Sequence, residues 1–313
     1  MNAPPLLEAK SLSKAFGTVR ALDQVSLSVP AGTFHAVVGE NGAGKSTLAK
    51  CIVGFYPPDS GELKLGGVRA STPLETRRAG LGMVFQHFTL APSMTVAENL
   101  LLARQDLPAI LDWRKERQRL EAFLERAPFS IDLDSRVEHL AAGQKQKVEI
   151  LKQLYLETRI LILDEPTSVL TPAEADEVMN VLTNLVRAGS LSVMLITHKL
   201  REVMAYADLV TVLRRGRMVA SHSVSEVDIP SLAELMIGDS APPQRVSRAL
   251  VQDHAPALEI RNLGVRGGHG LLAVKGVNLT VQTGEILGVA GVSGNGQREL
   301  VQAIGGQRPI ERG

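Results

Sequence analysis

Apolar and polar positions along the chain alternate in short runs that mark strands and helices of ordinary length. Residues 6–12, 22–29 and 33–38 have the length and partial alternation of strands, with a turn at Pro30-Ala31-Gly32. Residues 45–53 have helical spacing. Pro57-Pro58-Asp59-Ser60-Gly61 is a turn cluster, and residues 62–68 read as a short hairpin around Gly66-Gly67. Thr72 opens a short helix with Pro73 at its first position, and residues 81–85 form the next strand. Strand signals then become sparse. Helix formers dominate residues 96–103, 113–127 and 144–156, which predicts a helical subdomain over about 90–156. Strands return at 160–163, 192–196 and 209–213, separated by helices near 171–188 and 200–206. This alternation predicts an α/β fold with a mainly parallel sheet and helices on both faces.

A second pattern lies further along. Residues 239–256 carry Pro242-Pro243 and Pro256 among polar residues and read as a linker. Beyond it, Ala273-Val274-Lys275-Gly276-Val277-Asn278-Leu279 repeats Ala21-Leu22-Asp23-Gln24-Val25-Ser26-Leu27, and the same offset relates Leu300 to Leu48. A period this long indicates a duplicated domain, not a solenoid. The expected organisation is a first domain over 1–238, a linker over 239–256, and the truncated start of a second copy over 257–313.

The chemistry concentrates at Gly39-Glu40-Asn41-Gly42-Ala43-Gly44-Lys45-Ser46-Thr47, which fits the phosphate-loop pattern G-x-x-x-x-G-K-S/T. Ala36-Val37-Val38 leads into it as a buried strand, and the helix that follows would place phosphate at a helix N-terminus. Gly42 and Gly44 permit the tight turn and close approach of backbone to anion. Lys45 is expected to reach the β- and γ-phosphates of a nucleoside triphosphate, and the Ser46 hydroxyl to ligate Mg²⁺. Ile160-Leu161-Ile162-Leu163-Asp164-Glu165 is an apolar strand ending in two acids. Asp164 is assigned to magnesium and Glu165 to the attacking water.

Composition narrows the classes. With 313 residues, 44% hydrophobic and 21% charged, the chain can bury a sizeable core and is not globally disordered. Its 34 Lys and Arg balance 33 Asp and Glu, so no basic field marks a nucleic-acid partner. Cys51 is the lone cysteine, which removes zinc clusters and disulfide frameworks and fits a reducing cytosol. Met1-Asn2-Ala3-Pro4-Pro5 does not read as a secretion signal, and no apolar run approaches the roughly 18 residues that span a bilayer. Any membrane role is expected to be peripheral.

Taken together with other motifs in the same order, these residues resemble the ATP-binding cassette (ABC) ATPase family, over nearly the whole chain. Phe16 matches the family's aromatic loop that stacks on adenine. Gln86, in Val84-Phe85-Gln86, matches the Q-loop that senses magnesium and water and contacts the membrane subunit. Leu140-Ala141-Ala142-Gly143-Gln144 matches the signature loop, Ser168-Val169-Leu170-Thr171 the D-loop, and His198 the switch histidine. The resemblance implies a parallel-sheet core, N-terminal antiparallel strands and an inserted helical subdomain. It implies as partners integral-membrane permease subunits, a solute-binding protein acting through them, and a second ABC domain in tandem or in a dimer, at the cytoplasmic face of the membrane. The charge-rich residues 112–126 read as a solvated helix face, although the family docks its permease in this subdomain. Val148-Glu149-Ile150-Leu151-Lys152 and Leu163 to Thr171 look like the tandem ATPases of simple-sugar and nucleoside importers. So does Gly291-Val292-Ser293-Gly294-Asn295-Gly296-Gln297.

Departures from the family pattern carry their own expectations. Gln297 and Arg298 stand where Lys45 and Ser46 stand in the first copy, so the second loop lacks the ammonium and the hydroxyl. Gly267-Gly268 replace the aromatic. Ala141 replaces the usual signature serine, and Thr171 stands where many members carry the D-loop aspartate. Family geometry is head-to-tail, which would set Ala141 and Gln297 across one weakened composite site and leave Lys45, Glu165 and His198 to a competent one. Two rival readings are an ABC-type ATPase in translation or regulation, and a chain that binds ATP with little turnover.

Overall fold

The computed structural model describes residues 6–108, 110–238, 255–267, 270–291 and 294–313. Half-alternating sequences form β1 (Leu7–Phe16) and β2 (Val19–Val29), paired antiparallel from Leu7↔Val29 to Phe16↔Val19. Both run further toward their hairpin than side-chain periodicity indicates, because the backbone ladder continues past the last buried side chain. β3 (Phe34–Val38) has all five residues buried and leads into α1 (Lys45–Ile52). β4 (Ser60–Leu65) and β5 (Val68–Arg69) form the expected short hairpin. α2 (Pro73–Arg78) opens with a reciprocal cap. The Thr72 hydroxyl accepts from the Glu75 N–H, and the Glu75 carboxylate accepts from the Thr72 N–H. β6 (Leu81–Val84) follows.

The helical stretch holds α3 (Val96–Leu102), α4 (Trp113–Leu124) and α5 (Ala142–Tyr155). Of the twelve residues of α4 only Glu116 and Leu120 are buried, so it presents the solvated face its charges imply. Then come β7 (Ile160–Asp164), α6 (Pro172–Arg187), β8 (Ser192–Thr197), α7 (Leu200–Tyr206), β9 (Leu209–Arg214), β10 (Arg217–Ser223) and α8 (Ile229–Ile237). Periodicity misses β10, an edge strand with no fully buried residue, and α8 after it.

Two sheets result. One is antiparallel in the order β2-β1-β4-β5; the other runs β10-β9-β3-β8-β7-β6, parallel except for β10. The apolar strands β3, β7 and β8 are buried on both faces, as parallel strands must be. One cluster joins Phe34, Leu161, Leu163 and Leu195 to Leu100, Leu120 and Leu151 of the helical stretch and to Leu182 of α6. A second joins Val37, Ile160, Ile162 and Met194 to Leu48 and Ile52 of α1 and to the antiparallel sheet, and a third joins Ala36, Val38, Val210 and Val212 to Val203 of α7 and Leu232 of α8. The carboxyl ends of β3, β7 and β8 therefore emerge together. Among the described residues, no helix is long and apolar enough to cross a membrane.

The chain divides into two compact units, residues 1–240 and 241–313. Most of the expected linker, residues 239–254, lies outside the described residues; Pro256, assigned to it from sequence, instead begins a strand. The second unit pairs β11 (Pro256–Arg266) with β12 (Leu272–Gln282) and packs them on α9 (Gln297–Ile304) through Val265, Val274 and Leu300. α9 stands at the offset from α1 that relates Ala273 to Ala21. Where the first copy has β3, residues 285–290 form no strand, and Ile286 and Val289 are exposed.

Candidate active site

The site grows from the turn between β3 and α1. Gly39 and Gly44 are required by contact as well as conformation. A Cβ on Gly39 would lie 2.3 Å from the Leu213 carbonyl oxygen, and one on Gly44, at φ +103°, 2.5 Å from that of Ala21. The loop is closed by hydrogen bonds from the Ala43 N–H to the Glu40 carbonyl (3.1 Å) and from the Gly216 N–H to the Ala43 carbonyl (3.0 Å). α1 then begins at Lys45, and its first-turn N–H groups face the loop without intrahelical partners.

Lys45 is buried, and its ammonium curls onto the loop, donating to the carbonyls of Gly39 (2.8 Å) and Glu40 (3.0 Å). Burial pushes its pKa down, opposed by the charges of Glu165 and Asp164. The Ser46 hydroxyl donates to Asp164 Oδ1 at 3.3 Å across the gap between α1 and β7. Burial pushes the Asp164 carboxyl up, and the Ser46 hydrogen bond offsets part of that. Glu165 follows in the left-handed region, at φ +49°. That conformation is costly for a side-chain-bearing residue and is a mark of functional sites. It aims the carboxylate between two partners: His198 Nδ1 at 2.9 Å from Oε1, and Gln86 Nε2 at 3.4 Å from Oε2.

A cavity of about 580 Å³ joins these groups, lined by Asn41, Gly42, Gly44, Lys45, Ser46, Thr47, Gln86, Glu165 and His198. Oxygen donors suit a small hard cation here. Ser46 and Asp164 are within 3.3 Å of each other, and a buried carboxylate with a raised pKa gains from a neighbouring positive charge. Among the described residues there is no cluster of three or more His, Cys, Asp or Glu that could cage a metal unaided. A Mg²⁺ ion would complete its shell with phosphate and water oxygens, as this ion prefers.

Gly39, Ala43 and Asp164 adjoin this cavity without lining it, and Phe16 and the signature residues stand apart from it. Phe16 ends β1, is 44% exposed, and packs edge-on against Tyr56 at 5.2 Å; it does not line the cavity. Val19, Arg20 and Ala21 of β2 line that end instead, with Arg215 from the turn between β9 and β10. Sequence reading passes over Arg215. Arg215 and Gly216 form that turn, both at positive φ, and no spacing in the sequence marks Arg215. The signature residues Leu140, Ala141, Ala142, Gly143 and Gln144 surround the start of α5. Leu140 is buried in the core, and the Gln144 side chain accepts from the Ala141 N–H at 3.0 Å. Alanine has no acceptor to return, so this is half a capping box. Gly143 lies against α6, where a Cβ would come 2.2 Å from Glu174 Oε1. Thr171 caps α6 in a full reciprocal box with Glu174.

In the second unit, Gly296 (φ +90°) precedes α9 as Gly44 precedes α1, and Gln297 and Arg298 occupy the first two helical positions. The Gln297 amide lies over Gly291. Val292, Ser293 and Gly268 lie outside the described residues.

Comparison with known proteins gives this geometry a context. Residues 22–168 match the family model described as ABC transporter. A glucose import ATP-binding protein of Haloferax volcanii is 41% identical over all of this chain and 62% of its own length. A nucleoside import ATP-binding protein of Lactococcus lactis is 41% identical over 98% of this chain and 61% of its own. The chain thus spans about three-fifths of the length of the curated relatives it matches. An ATP-binding cassette of an ABC transporter, solved in its ADP conformation, superposes on 75% of this chain and 99% of itself with a TM-score of 0.63 at 27% identity.

Proposed function

We propose that this chain, which carries an ABC transporter domain over residues 22–168, is the ATP-binding and ATP-hydrolysing subunit of an ABC importer for a simple sugar or nucleoside. One observation carries the catalytic part: the Glu165 carboxylate, held between His198 and Gln86, faces a phosphate loop whose lysine and serine are in place. The solute class rests on the glucose and nucleoside importers named above.

In this reading Lys45 exchanges the Gly39 and Glu40 carbonyls for β- and γ-phosphate oxygens, at little cost because its ammonium already sits over the loop. Loop N–H groups and the start of α1 hold the remaining phosphate charge. Ser46, Asp164 and Gln86 would hold Mg²⁺, which would supply positive charge to the phosphate oxygens. Glu165 takes the proton of the attacking water, and His198, hydrogen-bonded to it, fixes the direction of its carboxylate. A second ABC domain, in tandem or as a separate subunit, brings a signature loop to the γ-phosphate. The triphosphate then acts by binding the closed pair better than the open one.

The permease is proposed to dock in a groove of about 390 Å³ bounded by Phe55, Phe85, Thr89, Leu102 and Ala103. Phe55 and Leu102 there are 61% and 60% exposed, large apolar side chains left open beside the Gln86 segment. This moves the docking surface away from residues 112–126, where α4 offers charge but little apolar area. A solute-binding protein would act through the permease, and the chain would sit on the cytoplasmic face of the membrane. Uptake by whole cells or right-side-out vesicles loaded with ATP, carrying the complete protein and its permease, tests the reading. One of glucose, ribose or guanosine is taken up in an ATP-dependent way, and Lys45→Ala abolishes that uptake. Uptake that persists with Lys45→Ala refutes it.

A further inference from the structure

β7 ends at Asp164 and β8 at Thr197, so Glu165 and His198 leave the sheet where its ladder ends. The last backbone bond joining the two segments is Glu165 N–H to the Ile196 carbonyl, at 2.9 Å. Beyond it, side chains must set how residues 165–168 stand relative to 197–199. Four groups do so. Glu202, on the first turn of α7 and not a lining residue of the phosphate-loop cavity, uses both carboxylate oxygens. Oε1 accepts from Thr167 Oγ1 at 2.5 Å, and Oε2 accepts from Thr197 Oγ1 at 3.2 Å. Lys199 Nζ lies 3.2 Å from the same carboxylate and donates to Thr167 Oγ1 (2.8 Å) and to its carbonyl (3.1 Å). The Lys199 N–H returns to Thr197 Oγ1 at 3.0 Å. Thr167 and Thr197 are each 2% exposed.

The ring therefore clamps the residue two positions after Glu165 to the residue immediately before His198. We propose that Glu202 is a positioning residue for the Glu165–His198 pair, acting through Thr167 and Thr197; this rests on the ATPase reading of the site. The chemistry favours it on three counts. A carboxylate bound by two hydroxyls and an ammonium is fixed in direction, since charge-assisted hydrogen bonds are short and strong. Glu165 sits at a positive φ that persists only where the surroundings over-determine it. A misplacement of about 1 Å at a reacting centre costs on the order of a hundredfold in rate. Loss of Glu202 would also leave Lys199 with one anionic partner fewer and two buried hydroxyls without their acceptor.

The test uses the complete protein with its permease and measures ATP turnover, ATP affinity and thermal midpoint. Glu202→Ala is expected to lower kcat about ten- to a hundredfold while ATP affinity stays within about twofold. Glu202→Gln keeps an acceptor for Thr167 and recovers most of the rate. In a His198→Ala background, Glu202→Ala lowers the residual rate no further, because the pair it positions is already broken. A purely structural role would instead subtract the same factor in both backgrounds, and that result overturns the proposal, as does an unchanged kcat in Glu202→Ala. Should Glu202→Ala fail to fold, Thr167→Val, which removes one arm of the ring, carries the same expectations. Glu165→Gln is the control. If it retains turnover, the ATPase reading falls and the proposal with it; if it is inactive while Glu202→Ala is normal, the proposal alone falls.

Discussion

His35 gives the structure a defined response to acid. It lies in β3, one strand position before the run that enters the phosphate loop, and is 1% exposed. Its Nε2 is 2.8 Å from Thr211 Oγ1, and Thr211 in turn meets Ser221 Oγ at 3.0 Å. Burial pushes the imidazole pKa from the ordinary 6.5 down to about 4. The unfolded chain therefore binds a proton between those values that the folded chain refuses. Stability from this group is fully present above pH 6.5 and is lost progressively as pH falls toward 4. The interval is worth about 3 kcal/mol by linkage, a large fraction of the roughly 5–15 kcal/mol that holds a typical domain together. Urea unfolding at constant ionic strength, at pH 7.5, 6.5, 5.5 and 4.5, measures it. His35→Leu removes the titration and leaves Thr211 its bond to Ser221. The difference in stability between wild type and variant is expected to be flat above pH 6.5 and to fall by about 3 kcal/mol towards pH 4. If the two lose stability in parallel below pH 6.5, the imidazole is not held neutral by burial and the argument fails.

Two other changes have clear signs. Gly44→Ala forces a Cβ to 2.5 Å from the Ala21 carbonyl in a left-handed backbone, so it should distort the loop and weaken ATP binding, read by calorimetry, with a smaller loss of overall stability. Thr171→Ala removes the side-chain acceptor at the start of the sixteen-residue α6 and should cost about 1 kcal/mol in urea unfolding while ATP affinity is unchanged.

Much of this was legible in the chain because the evidence for it is local. β3 and β7 announce themselves by the apolar runs Ala36–Val38 and Ile160–Leu163, and Thr72 followed by Pro73 marks the start of α2. The phosphate loop and the paired acids Asp164 and Glu165 are equally local, and the fold brings them together. What escaped is set by tertiary neighbours. β10 satisfies only one edge and buries none of its residues fully, so no alternation betrays it. Phe16 carries the right side chain at the right distance along the chain, yet its ring settles on Tyr56. Arg215 and Glu202 gain their places only because strands distant in sequence end side by side. Neither has a spacing that would single it out.

The central claim is that Glu165 activates water at a site built on Lys45 and Ser46. Single-turnover hydrolysis of ATP by the complete protein, with Mg²⁺, compared between wild type and Glu165→Gln, tests it most directly. The variant is expected to bind ATP with near-normal affinity and to lose hydrolysis by at least about a hundredfold. Hydrolysis at the wild-type rate in Glu165→Gln would contradict it.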